Sequence, residues 1–247
     1  MEDQLQKAEC CALIVTYNID FLIEHQIKTI RNLCEDRVAV YIIENSSDEE
    51  VSKRIIRKCL DNKVLYKKLQ SEETGSWGHA MALNYAYADL SMKYKYILTL
   101  DHDVVPFKKF KICSDFYLRG LRQERGSHIY MAPAYCVFDT DVIDFMDFAP
   151  NSIDGQFMDT GALTYTWIKN LDKEKIQLVE EDHRRKGSDS FHSIIDDTFF
   201  HVIRGCNWAG GAYHWNGQGV LTTEQFEQRK QNVISEFNKI SEYKIKL

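Results

Sequence analysis

The chain predicts an α/β fold built on a mostly parallel sheet, and three observations carry that prediction. The apolar runs Cys10–Val15, Val38–Ile43 and Tyr96–Leu100 are continuous rather than alternating, as expected of strands covered on both faces. Stretches of helical spacing separate them, and strand, helix, strand, helix is the order of a parallel sheet with right-handed crossovers. Each run also stops abruptly in polar residues: Thr16-Tyr17-Asn18, Glu44-Asn45 and Asp101-His102-Asp103. Functional loops of open parallel sheets lie beyond the carboxyl ends of the strands, so these three clusters should gather along one edge.

The elements follow in order. Leu22, Ile23, Ile27, Ile30 and Leu33 recur at helical intervals after the first strand, with Asn18 or Asp20 available as a cap. A second helix is expected from Glu49 to Leu60, and Val64-Leu65-Tyr66 reads as a short third strand. Gly75-Ser76-Trp77-Gly78 opens an alanine-rich segment, His79 to Ala88, that favours a helix leading into the strand before Asp101. Beyond Pro106 the spacing predicts a helix over Phe110–Gln123, a strand over Ile129–Phe138, and a strand or strand-to-helix junction over Gly161–Ile168. The charged stretch Val179–Ser190 reads as a mobile loop, either a solvated excursion or a substrate lid. Helical spacing returns over Ser193–Ile203. A capping box at Thr222 and Gln225 then opens a C-terminal helix whose stripe of Phe226, Val233, Phe237 and Ile240 should pack on the body or on another subunit.

Composition narrows the class. With 247 residues and 44% hydrophobic content the chain can bury a substantial core, and 12 Gly, 3 Pro and no low-complexity tract argue against a long linker. One domain is expected, with a first half over 1–107, a second over 108–221 and a C-terminal helix over 222–247. The net charge of −6 leaves no general basic footprint, so nucleic acid is not the expected partner. Seven scattered cysteines without Cys-x-x-Cys spacing read as reduced, mostly buried thiols of a cytoplasmic protein. Cys10–Val15 is too short for a signal peptide or a membrane span, which disfavours secretion but leaves room for peripheral docking at the inner face of a membrane.

Asp101 and Asp103 stand two apart, so their side chains share a face if the chain stays extended through His102. Paired hard oxygens suit Mg2+ or Mn2+. The plain alternative, two solvated turn acids before Pro106, is what an isolated Asp-x-Asp usually signifies; the accompanying strand ends shift the balance.

Several motifs then agree in order. Ala12 to Asn18, Ile42 to Ser47 (with Glu44 where Asp is usual), Gly75 to Asn84 and Leu100-Asp101-His102-Asp103 resemble family 2 glycosyltransferases of the GT-A fold, especially bacterial rhamnosyltransferase-like members. The resemblance is good through about Phe107 and weaker beyond. Met158 to Leu163 resembles the acceptor segment, with Thr160 where Ser is frequent, and Ile195 to Arg204 resembles the acidic helix start that carries the catalytic base, though its spacing from acid to Arg does not match cleanly.

The resemblance implies inverting transfer of a sugar from a nucleoside-diphosphate donor, a UDP- or dTDP-sugar, to a hydroxyl of a saccharide or lipid-linked saccharide, in surface polysaccharide synthesis. Asp103, with Asp101, would hold Mn2+ or Mg2+ against the diphosphate, with His214 a candidate third ligand. Asp197 or Asp196 would act as general base, Asp197 being favoured because His201 and Arg204 would share its helix face. Glu44 would read a uracil or thymine N3–H; Thr16 and Asn18 would contact base or ribose, Asn45 and Asn84 would belong to the donor site, Trp77 would line the sugar or acceptor pocket, and Arg204 would bind the diphosphate. Each has a plainer reading: Glu44 and Asn45 as caps of the next helix, Trp77 as a packing aromatic, Arg204 paired with nearby acids, and His201 and His214 as structural or solvated histidines. A nucleotidyltransferase and a non-catalytic nucleotide-sugar binding module are the competing classes. The former lacks its glycine-rich basic loop here. No Gly-x-Gly-x-x-Gly, Walker loop or Ser-His-Asp spacing appears.

Overall fold

The computed structural model describes residues 8–69, 75–182, 192–202 and 222–244. The first half runs β1 (Ala8–Thr16), α1 (Ile23–Leu33), β2 (Val38–Glu44), α2 (Glu49–Asp61), β3 (Leu65–Lys68), α3 (Gly75–Leu90) and β4 (Tyr94–Asp101). The second runs β5 (Val104–Pro106), β6 (Leu118–Arg125), β7 (His128–Asp139), β8 (Asn151–Ile153), β9 (Gln156–Met158), α4 (Thr164–Asn170), β10 (Ile176–Val179), β11 (Glu181–Asp182), β12 (His192–Ile195), β13 (Phe199–Val202) and α5 (Thr223–Ile240).

The main sheet has the order β10-β6-β7-β4-β1-β2-β3, and only β7 runs against the other six strands. The expected α/β architecture with a mostly parallel sheet is therefore present. Alternation along β1 explains its continuous apolar run: Ala12 and Ile14 join Ile23, Ile27 and Ile55 of α1 and α2 on one face. Cys11, Leu13 and Val15 join Leu83, Ala86 and Tyr87 of α3 on the other. A four-stranded antiparallel sheet, β11-β12-β13-β5, stands beside the α1 face.

Several local expectations are corrected. The segment expected as a helix over Phe110–Gln123 is irregular chain followed by β6, since its apolar residues serve two different partners. Phe110 bridges to Cys34, whereas Leu118 and Gly120 lie on β7. Gly120 is required there, because a Cβ would stand 2.5 Å from Cys136 Sγ and 2.8 Å from Met131 Sδ. The helix expected over Ser193–Ile203 is the hairpin β12–β13. Its turn places Asp196 and Asp197 consecutively at φ 53° and 50°, the primed-turn geometry that Asp tolerates better than most residues. The junction over Gly161–Ile168 is a turn that leads into α4. Neither Asn18 nor Asp20 caps α1, whose N-cap is Leu22; Asp20 instead pairs with Arg54 and Lys58 of α2. Of Val179–Ser190, the described part extends β10 and forms β11.

The capping box at Thr222 and Gln225 is formed. α5 packs on the body: Val233, Ile234 and Phe237 are buried with Leu22, Phe107, Phe200 and Val202, while Ile240 is exposed. No helix among the described residues is long and apolar enough to cross a membrane.

Candidate active site

Register brings the three polar strand ends together. β1 lies between β2 and β4, pairing Thr16 with Glu44 and Val15 with Asp101, so the residues after 16, 44 and 101 leave one edge of the sheet side by side. The chain does not stay extended through His102. It turns at His102 and Asp103 before entering β5, and the two acids approach each other through that turn. Gln26, fully buried on α1, holds the turn by donating from Nε2 to the carbonyls of Asp101 (2.8 Å) and Val104 (2.7 Å). Two buried carbonyls are thereby satisfied by one amide, which fixes where the acids stand.

Around the acids are two histidines with opposite support. His79, in the first turns of α3, places Nε2 at 3.2 Å from Asp101 Oδ1, an ion-pair distance without hydrogen-bond alignment. His201 on β13 places Nε2 at 3.8 Å from Asp103 Oδ1, while its Nδ1 meets Glu181 Oε1 at 2.7 Å. Glu181 also accepts from Ser193 Oγ. Burial favours neutral imidazole at both, but the surrounding carboxylates prevail. Glu181, Asp103 and Asp101 push His201 up to about 9, and Asp101, Asp159 and Asp103 raise His79. Burial raises Asp103, whereas at Asp101 burial is outweighed by His79, which lowers it. The cluster thus sets one buried and one half-buried acid against two imidazoles. Asp101 Oδ1 and His102 Nε2 lack an aligned hydrogen-bond partner among the described residues, and His102 Nδ1 lies 3.3 Å from the Val15 carbonyl.

The other expected residues divide. Thr16 is buried and donates to the Ile43 carbonyl. Asn18, at φ 52°, accepts from Asp48 N–H and donates to Ser47 Oγ, locking the first loop to the second. Asn45 donates to the Gly78 carbonyl, tying that loop to the start of α3, and Thr160 Oγ1 donates to the Ser76 carbonyl from the other side. Trp77 stands at this end with half its surface exposed.

Two residues expected at the donor site make internal contacts. Glu44 is 0% exposed; Oε1 accepts from Ser46 N–H (2.7 Å) and Oε2 from Ser52 Oγ (2.5 Å). Its carboxylate braces the loop and is not presented to a base, while Asp48 caps α2. Asn84 lies two turns into α3 and joins the Asp147 carboxylate to the Phe148 N–H, so it positions the 147–148 loop.

Asp196 accepts from Arg119 Nη2 and, at 3.4 Å, from Tyr135 Oη. Burial raises its pKa against the pull of Arg119. Asp197 is exposed at the turn, and both acids line an open cleft of ≈ 540 Å³ with Gln177–Asp182 and Ile194. The helix-face argument for Asp197 lapses with the helix. Arg204 and His214 lie outside the described residues.

No family model matches the chain, and no curated protein matches it in sequence. Several solved structures align with it in part. Mannosyltransferase PcManGT from Pyrobaculum calidifontis, solved with GDP-Man and Mn2+, aligns with TM-score 0.43 at 13% identity over 57% of this chain and 47% of its own. TarS from S. aureus aligns with TM-score 0.48 at 11% identity, over 96% of this chain and 40% of its own. Glucosyl-3-phosphoglycerate synthase from Mycobacterium tuberculosis, solved with UDP, aligns with TM-score 0.47 at 11% identity over 74% of each chain. The chain therefore spans under half the length of the first two.

Sequence reasoning assigned no role to Gln26, His79 or Glu181, and preferred a structural reading for His201. His79 carried a usable signal, since it falls in the first turns of a helix that starts at the functional edge. Glu181 carried none, because its partner His201 is 20 residues away on another strand.

Proposed function

We propose that the chain is a metal-dependent, inverting glycosyltransferase of the family 2 type, organised as a GT-A domain. Its donor would be a UDP- or dTDP-sugar and its acceptor a hydroxyl of a saccharide or lipid-linked saccharide, in surface polysaccharide synthesis. The observation that carries this reading is the meeting of the 16–18, 44–48 and 101–103 strand ends at one sheet edge, with Asp101 and Asp103 facing imidazoles.

The donor chemistry of Asp101, Asp103 and His201 suits a divalent cation, although their ligand atoms do not all lie within 4.8 Å of one another and would have to draw in around it. Asp101 and Asp103 offer hard oxygens, and His201 offers a nitrogen whose ring is oriented by Glu181, the usual support for a metal-binding imidazole. His214 keeps its place as a further candidate. When bound, Mn2+ or Mg2+ neutralises charge that grows on the departing diphosphate. The chain's own residues do the rest. Gln26 keeps the acid pair in place. Asn18 and Asn45 lock the loops that border the nucleotide, and Trp77 offers an exposed indole beside them. Arg204 is assigned to the diphosphate. Asp197 is the proposed base, because it is exposed on the cleft where an acceptor hydroxyl can reach it.

The test is release of nucleoside diphosphate from a panel of UDP- and dTDP-sugars with and without Mn2+, the anomeric configuration of the product being read by NMR. Asp103→Asn is expected to abolish metal-dependent turnover, and full activity in that variant would refute the assignment. Pyrophosphate release from a nucleoside triphosphate would favour a nucleotidyltransferase. Donor binding without turnover would favour a binding module.

A further inference from the structure

We infer that the chain carries a second cation site, for a soft divalent ion of the Zn2+ class, at the sheet edge opposite the acid pair, with Cys10, Cys113 and Asp36 as ligands. Cys10 Sγ and Cys113 Sγ are 3.2 Å apart. Together with an Asp36 carboxylate oxygen they form a group whose ligand atoms all lie within 4.8 Å of one another, the one such group among the described residues. Tetrahedral ligands at zinc bond lengths stand roughly 3.4–3.8 Å apart, so small shifts close the site. Two thiolates with one carboxylate suit Zn2+ and not the hard ions expected of Asp101 and Asp103.

The surroundings are built for it. Asp36 Oδ2 accepts from the backbone N–H groups of Ile112 (2.6 Å) and Cys113 (3.0 Å), which fixes the carboxylate and leaves its other oxygen for a ligand. Glu9 Oε1 accepts from Cys113 Sγ at 3.3 Å at the exposed rim of the group, and water is left to complete the coordination. Three distant segments meet here: the start of β1, the connection after α1, and the irregular chain before β6. They are held by the Cys34–Phe110 bridge and by Glu35 N–H on the Phe110 carbonyl (2.9 Å). A cation would staple them where regular structure is sparse. Binding displaces a proton from each sulfur to solvent as two metal–thiolate bonds form. Cys10 precedes Thr16 by six residues, about 20 Å of strand, so the site is separate from the proposed catalytic edge.

The test is a Co2+ titration of the full, reduced, chelator-stripped chain, with Zn2+ as competitor. A thiolate-to-cobalt charge-transfer band should saturate at about one ion per chain and vanish on adding Zn2+. It should persist in Asp103→Asn and be lost in Cys113→Ser. Without any variant, Zn2+ should protect Cys10 and Cys113 from alkylation, mapped by mass spectrometry. Absence of the band, its survival in Cys10→Ser/Cys113→Ser, alkylation of both thiols at saturating Zn2+, or a Cys10–Cys113 disulfide in a chain that binds no Co2+ would each overturn the inference.

Discussion

Replacing Glu44 separates a loop brace from a base-reading carboxylate. Its two oxygens hold Ser46 N–H and Ser52 Oγ at 2.7 and 2.5 Å inside the protein. Glu44→Ala removes both acceptors; the buried Ser52 hydroxyl loses its partner, at about 1–3 kcal/mol, whereas the half-buried Ser46 N–H can turn to water. For a chain of this size that corresponds to a fall in Tm on the order of 2–12 °C. Glu44→Gln keeps the shape and the Ser46 bond, and its amide can donate to Ser52 Oγ once that hydroxyl turns. It should therefore fold nearly as well as the parent and bind UDP within about twofold. Urea unfolding gives the first quantity and isothermal titration with UDP the second. A Glu44→Gln protein of parental stability that lost about tenfold or more in UDP affinity would refute the brace. That loss is the worth of one hydrogen bond to a charged group, about 1.5 kcal/mol or more, and would restore Glu44 to the base.

Other expected outcomes follow from the same contacts. Gln26→Leu strips the Asp101 and Val104 carbonyls of their shared donor, at about 1–3 kcal/mol per carbonyl; chemical denaturation measures the cost, and the Mn2+ concentration needed for turnover should rise. Phe237→Ala, on the buried face of α5, should cost about 3–5 kcal/mol by the same method, and a loss below about 1 kcal/mol would mean that α5 is not docked. Burial lowers the His192 pKa, where the ring stacks on Phe200 at 4.7 Å and feels Glu236 and Lys239 in opposite senses. The unfolded chain then binds more protons, so the His192 contribution is present above about pH 6.5 and is lost as pH falls below it. Urea midpoints at pH 5.5 and 7.5 should accordingly differ less in His192→Phe than in the parent. Gly161→Ala forces a side chain to φ 90° with its Cβ 2.4 Å from the Met131 carbonyl, and thermal unfolding should register a loss of about 1–3 kcal/mol or more.

The sequence by itself determined the alternation of strands and helices through β4, the covered faces of β1, the capping box of α5 and the clustering of polar strand ends. These rest on periodicity and on chemistry within a few residues, which survive in any context. Tertiary structure decided what depends on distant partners. The spacing of Phe110–Gln123 fits a helix, but Leu118 and Gly120 find β7, and strand pairing prevails over local propensity. The acidic segment after Ile194 resembled a helix start, yet two left-handed aspartates close a hairpin whose next strand carries His201 to Asp103. Glu44 was legible as a strand end, but its contact with Ser52 was not, because only the packed α2 brings that hydroxyl to its carboxylate. Asp101 and Asp103 stand together in the sequence, whereas the residues that surround them, Gln26, His79, His201 and Glu181, come from four different elements and meet only in three dimensions.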